Sequence, residues 1–164
     1  FVFQKIRIDL LYIVVFMSKE LDILAEWVVW GSLEKKRDLE TILLKGHLLL
    51  EMILDMILLR NGVNDCRAFS FYRKIGLLDK LNVTDRNKLE KVVVALTQIN
   101  TLRNRLAHEV LFSVDNSDFS YWAIEVLANF NGAKFTKYTY RTKIIHAFSV
   151  LSKNILVLDQ SIKQ

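Results

Sequence analysis

Apolar residues between positions 38 and 60 recur every three or four residues, the spacing of one face of an α-helix. The stripe is formed by Leu39, Ile42, Leu43, Gly46, Leu50, Ile53, Leu54, Ile57 and Leu58. Asn61 and Gly62 follow it, and such residues commonly end helices. An amphipathic helix of this length must bury its apolar face against other elements, so we expect a core of packed helices.

The rest of the chain shows the same periodicity. Further helices are predicted over residues 18–30, 70–81, 84–110, 117–130 and 139–162, and residues 1–17 favour helix over strand. Candidate N-terminal caps are Ser18, Ser70, and Thr84 or Asp85. The first of these helices is expected to stop before Gly31. The 164 residues include no proline, and the connections are short, which predicts a single all-α domain, an antiparallel bundle of about five to seven helices.

Several classes of protein are disfavoured by what the sequence contains. Cys66 is the single cysteine, which excludes an internal disulfide and a cysteine-rich zinc site. The apolar run of residues 10–17 is shorter than the roughly 20 residues that cross a bilayer. No small-residue cleavage pattern follows it, so neither a membrane span nor a signal peptide is predicted. The expected location is the cytoplasm.

The formal net charge is +5, which favours an anionic partner such as a nucleic acid. The sequence has no glycine-rich phosphate loop, no serine nucleophile elbow and no Cys–His arrangement. These features argue against a kinase, a hydrolase or a dehydrogenase that would use such a site.

An arginine interrupts the apolar face of the predicted helix 84–110. At about 100° per residue, one side of this helix collects Val92, Val93, Leu96, Ile99, Leu106, Ala107 and Val110. Arg103 falls inside that arc, with Asn100 near it, and His108 lies about 140° further round. A guanidinium is costly to bury unpaired, so Arg103 needs an acidic partner, a second subunit or an anionic ligand. One hypothesis pairs it with Glu51 or Asp55 and leaves His108 as a helix-ending residue.

Arg103, Asn104 and His108 form an Arg-Asn-x-x-x-His motif within RNRLAHE, and this motif resembles the signature of HEPN domains, a superfamily of helical nucleotide-binding proteins. KGHLLLEMILDMIL (45–58), SFYRKIGLLDKLNV (70–83) and LRNRLAHEV (102–110) follow one another as in bacterial members. The resemblance covers residues 38–111, and the helices of residues 117–163 are compatible with it.

The resemblance implies a metal-independent endoribonuclease that needs no cofactor and acts as a homodimer, with two motifs facing each other across a cleft. In such a reaction the ribose 2′-hydroxyl attacks the adjacent phosphate. His108 would then be the general base or acid. Arg103 would hold the phosphate oxygens and Asn104 would orient the arginine or the substrate.

The resemblance further implies a toxin or an anti-phage defence nuclease, restrained by a cognate inhibitor or antitoxin protein. The alternative from another class is a non-catalytic HEPN-like helical regulator or partner-binding module. In that alternative Arg103 and His108 stabilise a dimer and catalyse nothing.

His47 and Glu51 lie one helical turn apart, with Asp55 another turn on. They are candidates to support the active site from the helix of residues 38–60. A surface His–Glu pair is the competing interpretation, and two ligands without a third do not predict a metal site. His146, beside the apolar stripe of the last helix, is predicted to be a packing residue.

The segment KFTKYTYRTK, residues 134–143, alternates cations with aromatic rings, a mixture that suits single-stranded RNA. The candidate RNA-binding residues are Lys134, Lys137, Tyr138, Tyr140 and Arg141. A solvated loop and helix start would show the same composition. The remaining large aromatic residues are predicted to pack in the core, namely Trp27, Trp30, Trp122, Phe69, Phe71 and Tyr72.

Overall fold

A computed structural model of the protein describes residues 21–115, 118–130 and 138–160. Its helices are α1 (Leu21–Glu34), α2 (Leu39–Arg60), α3 (Phe71–Asp79), α4 (Arg86–His108), α5 (Phe119–Phe130) and α6 (Tyr140–Gln160), with a short 3₁₀ turn at Cys66–Ala68. No β-strand occurs in these ranges, and the predicted all-α bundle is confirmed. The helix predicted over residues 1–17 lies outside the described residues.

The core of the bundle is organised around α6, which packs against α1, α2, α4 and α5. Phe148 of α6 is fully buried, and its ring centroid lies 4.7 Å from that of Trp122 in α5. The indole Nε1 of Trp122 donates to the backbone oxygen of Ala95 in α4 at 2.9 Å. These contacts fix α4, which carries the motif, against the centre of the molecule.

Three helices begin at capping side chains, of which Ser70 and Asp85 are predicted from the sequence and Asp38 is not. Asp38 accepts from the backbone N–H of Thr41 at 2.7 Å, and Ser70 accepts from that of Arg73 at 3.3 Å. Asp85 caps α4 in the same way, so of the two candidates there Asp85 fills the position. Each cap satisfies an N–H group that a helix start leaves without an intrahelical partner.

The predicted end of α1 before Gly31 is wrong, because the helix continues to Glu34. Leu33, two residues beyond that glycine, is fully buried, and Val29 is nearly so. Burial of these side chains outweighs the cost of about 1 kcal/mol that glycine imposes inside a helix.

Two of the predicted packing residues are exposed. Trp27 is 68% exposed and Tyr72 is 72% exposed. Trp27 lies about 200° around its helix from the buried Val29, so it points away from the core.

Among the described residues, no helix is long and apolar enough to cross a membrane.

Candidate active site

The three motif residues lie at the C-terminal end of α4. Arg103 is half-buried, whereas Asn104 and His108 are exposed. The Nη1 group of Arg103 donates to Oδ1 of Asn104 at 3.1 Å. Asn104 therefore holds the guanidinium, and His108 is the last residue of the helix.

Asn100 joins the motif residues on one side of α4. Counting about 100° per residue, Asn100, Asn104 and His108 lie roughly 60°, 100° and 140° around the helix from Arg103. The four side chains therefore form one polar arc. Asn100 is half-buried and lies between Arg103 and His108 in this order.

His47 of α2 lies beneath this arc and contacts Asn100. Its Nε2 is 3.2 Å from Oδ1 of Asn100, and its ring lies 4.0 Å from the ring of Phe71, centroid to centroid. His47 is 5% exposed, so the hypothesis of a surface His–Glu pair is wrong. An amide oxygen can only accept, and Nε2 of His47 therefore carries the proton.

Burial lowers the pKa of His47, and the positive charges of Arg103 and Lys74 lower it further. The hydrogen bond to Asn100 and the charge of Glu51 act in the opposite direction without reversing the result. His47 is therefore neutral near pH 7.

Glu51 and Asp55 of α2 bind Lys74 of α3. The Nζ group of Lys74 lies 2.7 Å from Oε1 of Glu51 and 2.7 Å from Oδ1 of Asp55. Lys74 is 1% exposed. Burial lowers the pKa of this ammonium, but the two carboxylates outweigh burial and raise the pKa above its usual value. Lys74 is a buried cation that stays charged.

The contacts of Lys74 with Glu51 and Asp55 test the partner that is predicted for Arg103. Neither of the two carboxylates proposed for Arg103 forms an ion pair with it, and both bind Lys74 instead, so that pairing hypothesis is wrong. Within the described part of the chain, no carboxylate lies within ion-pair distance of Arg103. Arg105, two residues later, differs because it lies 3.2 Å from Glu109 and 3.9 Å from Asp118.

The arrangement can hold an anion. Arg103 supplies a permanent positive charge, and its remaining N–H groups meet no acceptor among the described residues. No group of three or more His, Cys, Asp or Glu residues suited to a metal ion occurs in the ranges that the structure describes.

The structure describes three of the five predicted RNA-binding residues. Lys134 and Lys137 lie outside the described residues, and Tyr138 is 41% exposed. Tyr140 packs against the core. Arg141 donates from Nε to the backbone oxygen of Lys36 at 2.9 Å and from Nη2 to those of Glu34 and Lys36, so its guanidinium connects the start of α6 to the α1–α2 connection.

The other aromatic and histidine predictions are mixed. Phe71 and Trp122 are buried, and Trp30 packs partly buried against the core. The ring of His146 lies 5.4 Å from that of Trp30 and 5.9 Å from that of Tyr138, centroid to centroid. His146 thus lies against two aromatic rings.

Two residues of this site, Asn100 and Lys74, are absent from the candidates that the sequence suggests. Lys74 occupies the apolar side of α3 with Phe71, Ile75 and Leu78, and a lysine there signals a buried acidic partner. Asn100 lies one turn before Asn104, at the edge of the apolar arc of α4. Both positions could have been flagged by the same test that singles out Arg103.

No protein family model, no curated protein and no solved structure matches the chain.

Proposed function

We propose that this protein is a HEPN-like endoribonuclease, which acts as a homodimer and cleaves RNA without a metal ion. The observation that carries the proposal is the state of Arg103. Its charge meets no carboxylate among the described residues, although Glu51 and Asp55 lie on the neighbouring helix and bind Lys74 instead. An arginine whose charge is not paired with a carboxylate is suited to bind a phosphate group.

The reaction follows from the side chains of the motif. His108 takes the proton of a ribose 2′-hydroxyl, and the 2′-oxygen attacks the adjacent phosphorus. Arg103 stabilises the charge of the phosphorane. The bond from phosphorus to the 5′-oxygen breaks as that oxygen takes a proton from water, and His108 then releases the proton that it accepted to the solvent. The products are a 2′,3′-cyclic phosphate on one fragment and a 5′-hydroxyl on the other.

The dimer brings the two ends of the polar arc together. Arg103 and His108 lie about 140° apart on α4, so one copy presents them in different directions. Two copies related by a two-fold axis would place Arg103 of one protomer near His108 of the other. Val110 and Leu111, directly after α4, are 99% and 97% exposed, and a second copy would cover these apolar side chains.

The test is incubation of the purified protein with transfer RNA and messenger RNA in EDTA. We expect cleavage by the wild type, and a loss of about 100-fold or more in His108→Ala and Arg103→Ala, because general acid–base catalysis and charge stabilisation each contribute at this level. Arg105→Ala is the control, since the charge of Arg105 is balanced by Glu109 and Asp118. Intact RNA at high protein concentration, or equal activity in all variants, would refute the proposal.

We further propose that the nuclease acts in the cytoplasm as a toxin or in anti-phage defence and is restrained by an inhibitor protein. Expression of the wild type should then arrest bacterial growth, whereas His108→Ala should not. Equal growth with both would contradict this role.

A partner-binding module is the second candidate, and one observation favours it. Val94, Thr97, Thr101 and Trp122 line an apolar groove between α4 and α5. The groove lies on the far side of α4, since Val94 is about 180° around the helix from Arg103. A module that works through this groove predicts that His108→Ala changes no activity, whereas Val94→Lys abolishes partner binding.

A further inference from the structure

In the side-chain amide of Asn100, the oxygen forms a hydrogen bond with a described residue and the nitrogen does not. Its Oδ1 accepts from Nε2 of the buried His47 at 3.2 Å. Its Nδ2 carries two N–H donors, and no described residue accepts from them. Since Oδ1 is bound to His47, the amide cannot rotate freely, and its donors have a fixed direction.

Donors outnumber acceptors around Asn100. Arg103 follows it by three residues, which makes the two side chains neighbours on the helix surface. Of the five guanidinium N–H groups, the described contacts include one, from Nη1 to Asn104. The surface thus combines a fixed positive charge with several N–H donors, which is the composition of a phosphate-binding site.

His47 has the geometry of a positioning residue. Its ring packs against Phe71, and the proton of Nε2 is directed to Asn100. Burial and the neighbouring cations lower the pKa of His47, so the ring stays neutral while the donor role is filled. A base for the 2′-hydroxyl would instead need access to substrate, and His47 is 5% exposed.

We propose that Asn100 binds the phosphate of RNA through Nδ2, together with the guanidinium of Arg103, and that His47 fixes the orientation of the Asn100 amide. This inference rests on the proposed nuclease function for its substrate. It adds a binding residue, Asn100, that lies outside the Arg-Asn-x-x-x-His motif. It also gives His47 a role that involves no proton transfer.

Asn100→Asp is the decisive variant. The carboxylate has the size of the amide and still accepts from His47, but it removes both N–H donors and places a negative charge beside Arg103. We expect the KM for RNA to rise about 10-fold to 100-fold, the range for losing a hydrogen bond to a charged group. Asn87→Asp is the control, because it makes the same change at an exposed position in the first turn of α4. Equal KM values in both variants would overturn the proposal.

Two variants of His47 separate positioning from proton transfer. His47→Gln retains an N–H donor for Asn100, whereas His47→Met retains the apolar contact with Phe71 and has no donor. Positioning predicts a near-normal KM and an unchanged pH profile of kcat in His47→Gln, with a raised KM in His47→Met. Loss of kcat in His47→Gln, with the fold intact by circular dichroism, would contradict the positioning role.

Binding of inorganic phosphate distinguishes this inference from the nuclease proposal. In a ¹⁵N NMR titration of the full chain with phosphate, the side-chain amide signals of Asn100 should shift in the wild type. A shift without RNA cleavage would refute the nuclease and leave a site for free phosphate, which overturns the assignment of RNA as ligand. Cleavage without a shift, and without a change of KM in Asn100→Asp, would overturn the role of Asn100 alone.

Discussion

The charge around Arg103 depends on which cation binds the two acidic residues of α2. Lys74 is fully buried, and its Nζ lies 2.7 Å from Oε1 of Glu51 and 2.7 Å from Oδ1 of Asp55. Both carboxylates bind Lys74, and in the described part of the chain Arg103 forms no ion pair with either of them. The positive charge of the site is that of Arg103 itself.

Removal of the Lys74 ammonium tests this arrangement at the level of the residue. Lys74→Ala removes the ammonium beside the buried carboxylate of Asp55, and we expect a loss of about 3 kcal/mol in the free energy of unfolding. The value lies at the low end for a buried pair, because Glu51 is partly exposed and water compensates it. Urea denaturation measures the change. Lys80→Ala, at the exposed end of the same helix, should change the stability by less than about 0.5 kcal/mol, and equal losses would argue against the contacts of Lys74 with the two carboxylates.

Gly46 provides a test of packing between α2 and α6. A Cβ atom at this position would overlap the ring of Phe148. Gly46→Ala should therefore destabilise the protein by about 1 to 3 kcal/mol through overpacking, despite the better helix propensity of alanine.

Gly31→Ala and Gly76→Ala are matched controls, since nothing lies within 4 Å of a Cβ at either helical position. Both substitutions should raise the free energy of unfolding by up to about 1 kcal/mol. Thermal unfolding of the three variants gives the comparison, and a stabilised Gly46→Ala variant would show that α2 and α6 pack less closely than described.

Single residues differ in how far the sequence reveals their roles. Arg103 could be singled out, because a charge on an apolar arc stands out in a helical projection. Its lack of a carboxylate partner could not be foreseen, since this depends on Lys74 arriving from another helix. Trp27 and Tyr72 are predicted in the core but are exposed, because residue type alone does not determine which side of a helix faces the core.

At the level of the elements, caps and apolar spacing predict most helices well. The starts of α2, α3 and α4 at Asp38, Ser70 and Asp85 follow from side chains that accept a backbone N–H. The extension of α1 through Gly31 is a tertiary effect, because it depends on burial of Leu33. The contact of His47 with Asn100 likewise requires knowing how α2 and α4 pack.

The buried His47 of α2 and the half-buried His146 of α6 predict a stability that depends on pH. Burial lowers the pKa of both His47 and His146. The unfolded chain then binds more protons than the folded one below about pH 6.5, the usual histidine value. The contribution of the two histidines to the free energy of unfolding should therefore be fully present above this pH and should decrease as the pH drops towards 5.

Urea denaturation at pH 7.5 and pH 5 measures this effect, and His47→Gln should lose part of the difference. Asp38 and Lys74 do not interfere, because the lowered pKa of Asp38 acts near pH 4 and below, and the raised pKa of Lys74 acts above pH 10. A stability that rises from pH 7.5 to pH 5 would contradict the neutral burial of the two histidines.

At the level of the whole molecule, α4 separates two different surfaces. One carries the polar arc from Arg103 to His108, and the other faces the apolar groove near Val94. The exposed Val110 and Leu111 continue the end of α4 that carries the polar arc. The dimer proposed above would use this end of the molecule and leave the groove uncovered.

Sedimentation of surface variants tests the dimer. The wild type should sediment at about twice the 19.2 kDa mass of one chain. The double variant Val110→Lys, Leu111→Lys should weaken dimerisation about 10-fold or more and reduce RNA cleavage in parallel. Val94→Lys is the control, because it adds a charge on the far side of α4 and should preserve both. A monomeric wild type that cleaves RNA fully would contradict the shared cleft.

The most direct test of the nuclease mechanism is the chemistry of the fragment ends. Mass spectrometry would be applied to the products of a synthetic RNA, incubated with the wild type in EDTA, and to the same RNA with a 2′-deoxyribose at the cleaved position. The mechanism predicts 2′,3′-cyclic phosphate and 5′-hydroxyl ends from the first RNA and no cleavage at the substituted position of the second. Fragments with 5′-phosphate ends, or cleavage of the substituted RNA at that position, would contradict attack by the 2′-hydroxyl and with it the roles of Arg103 and His108.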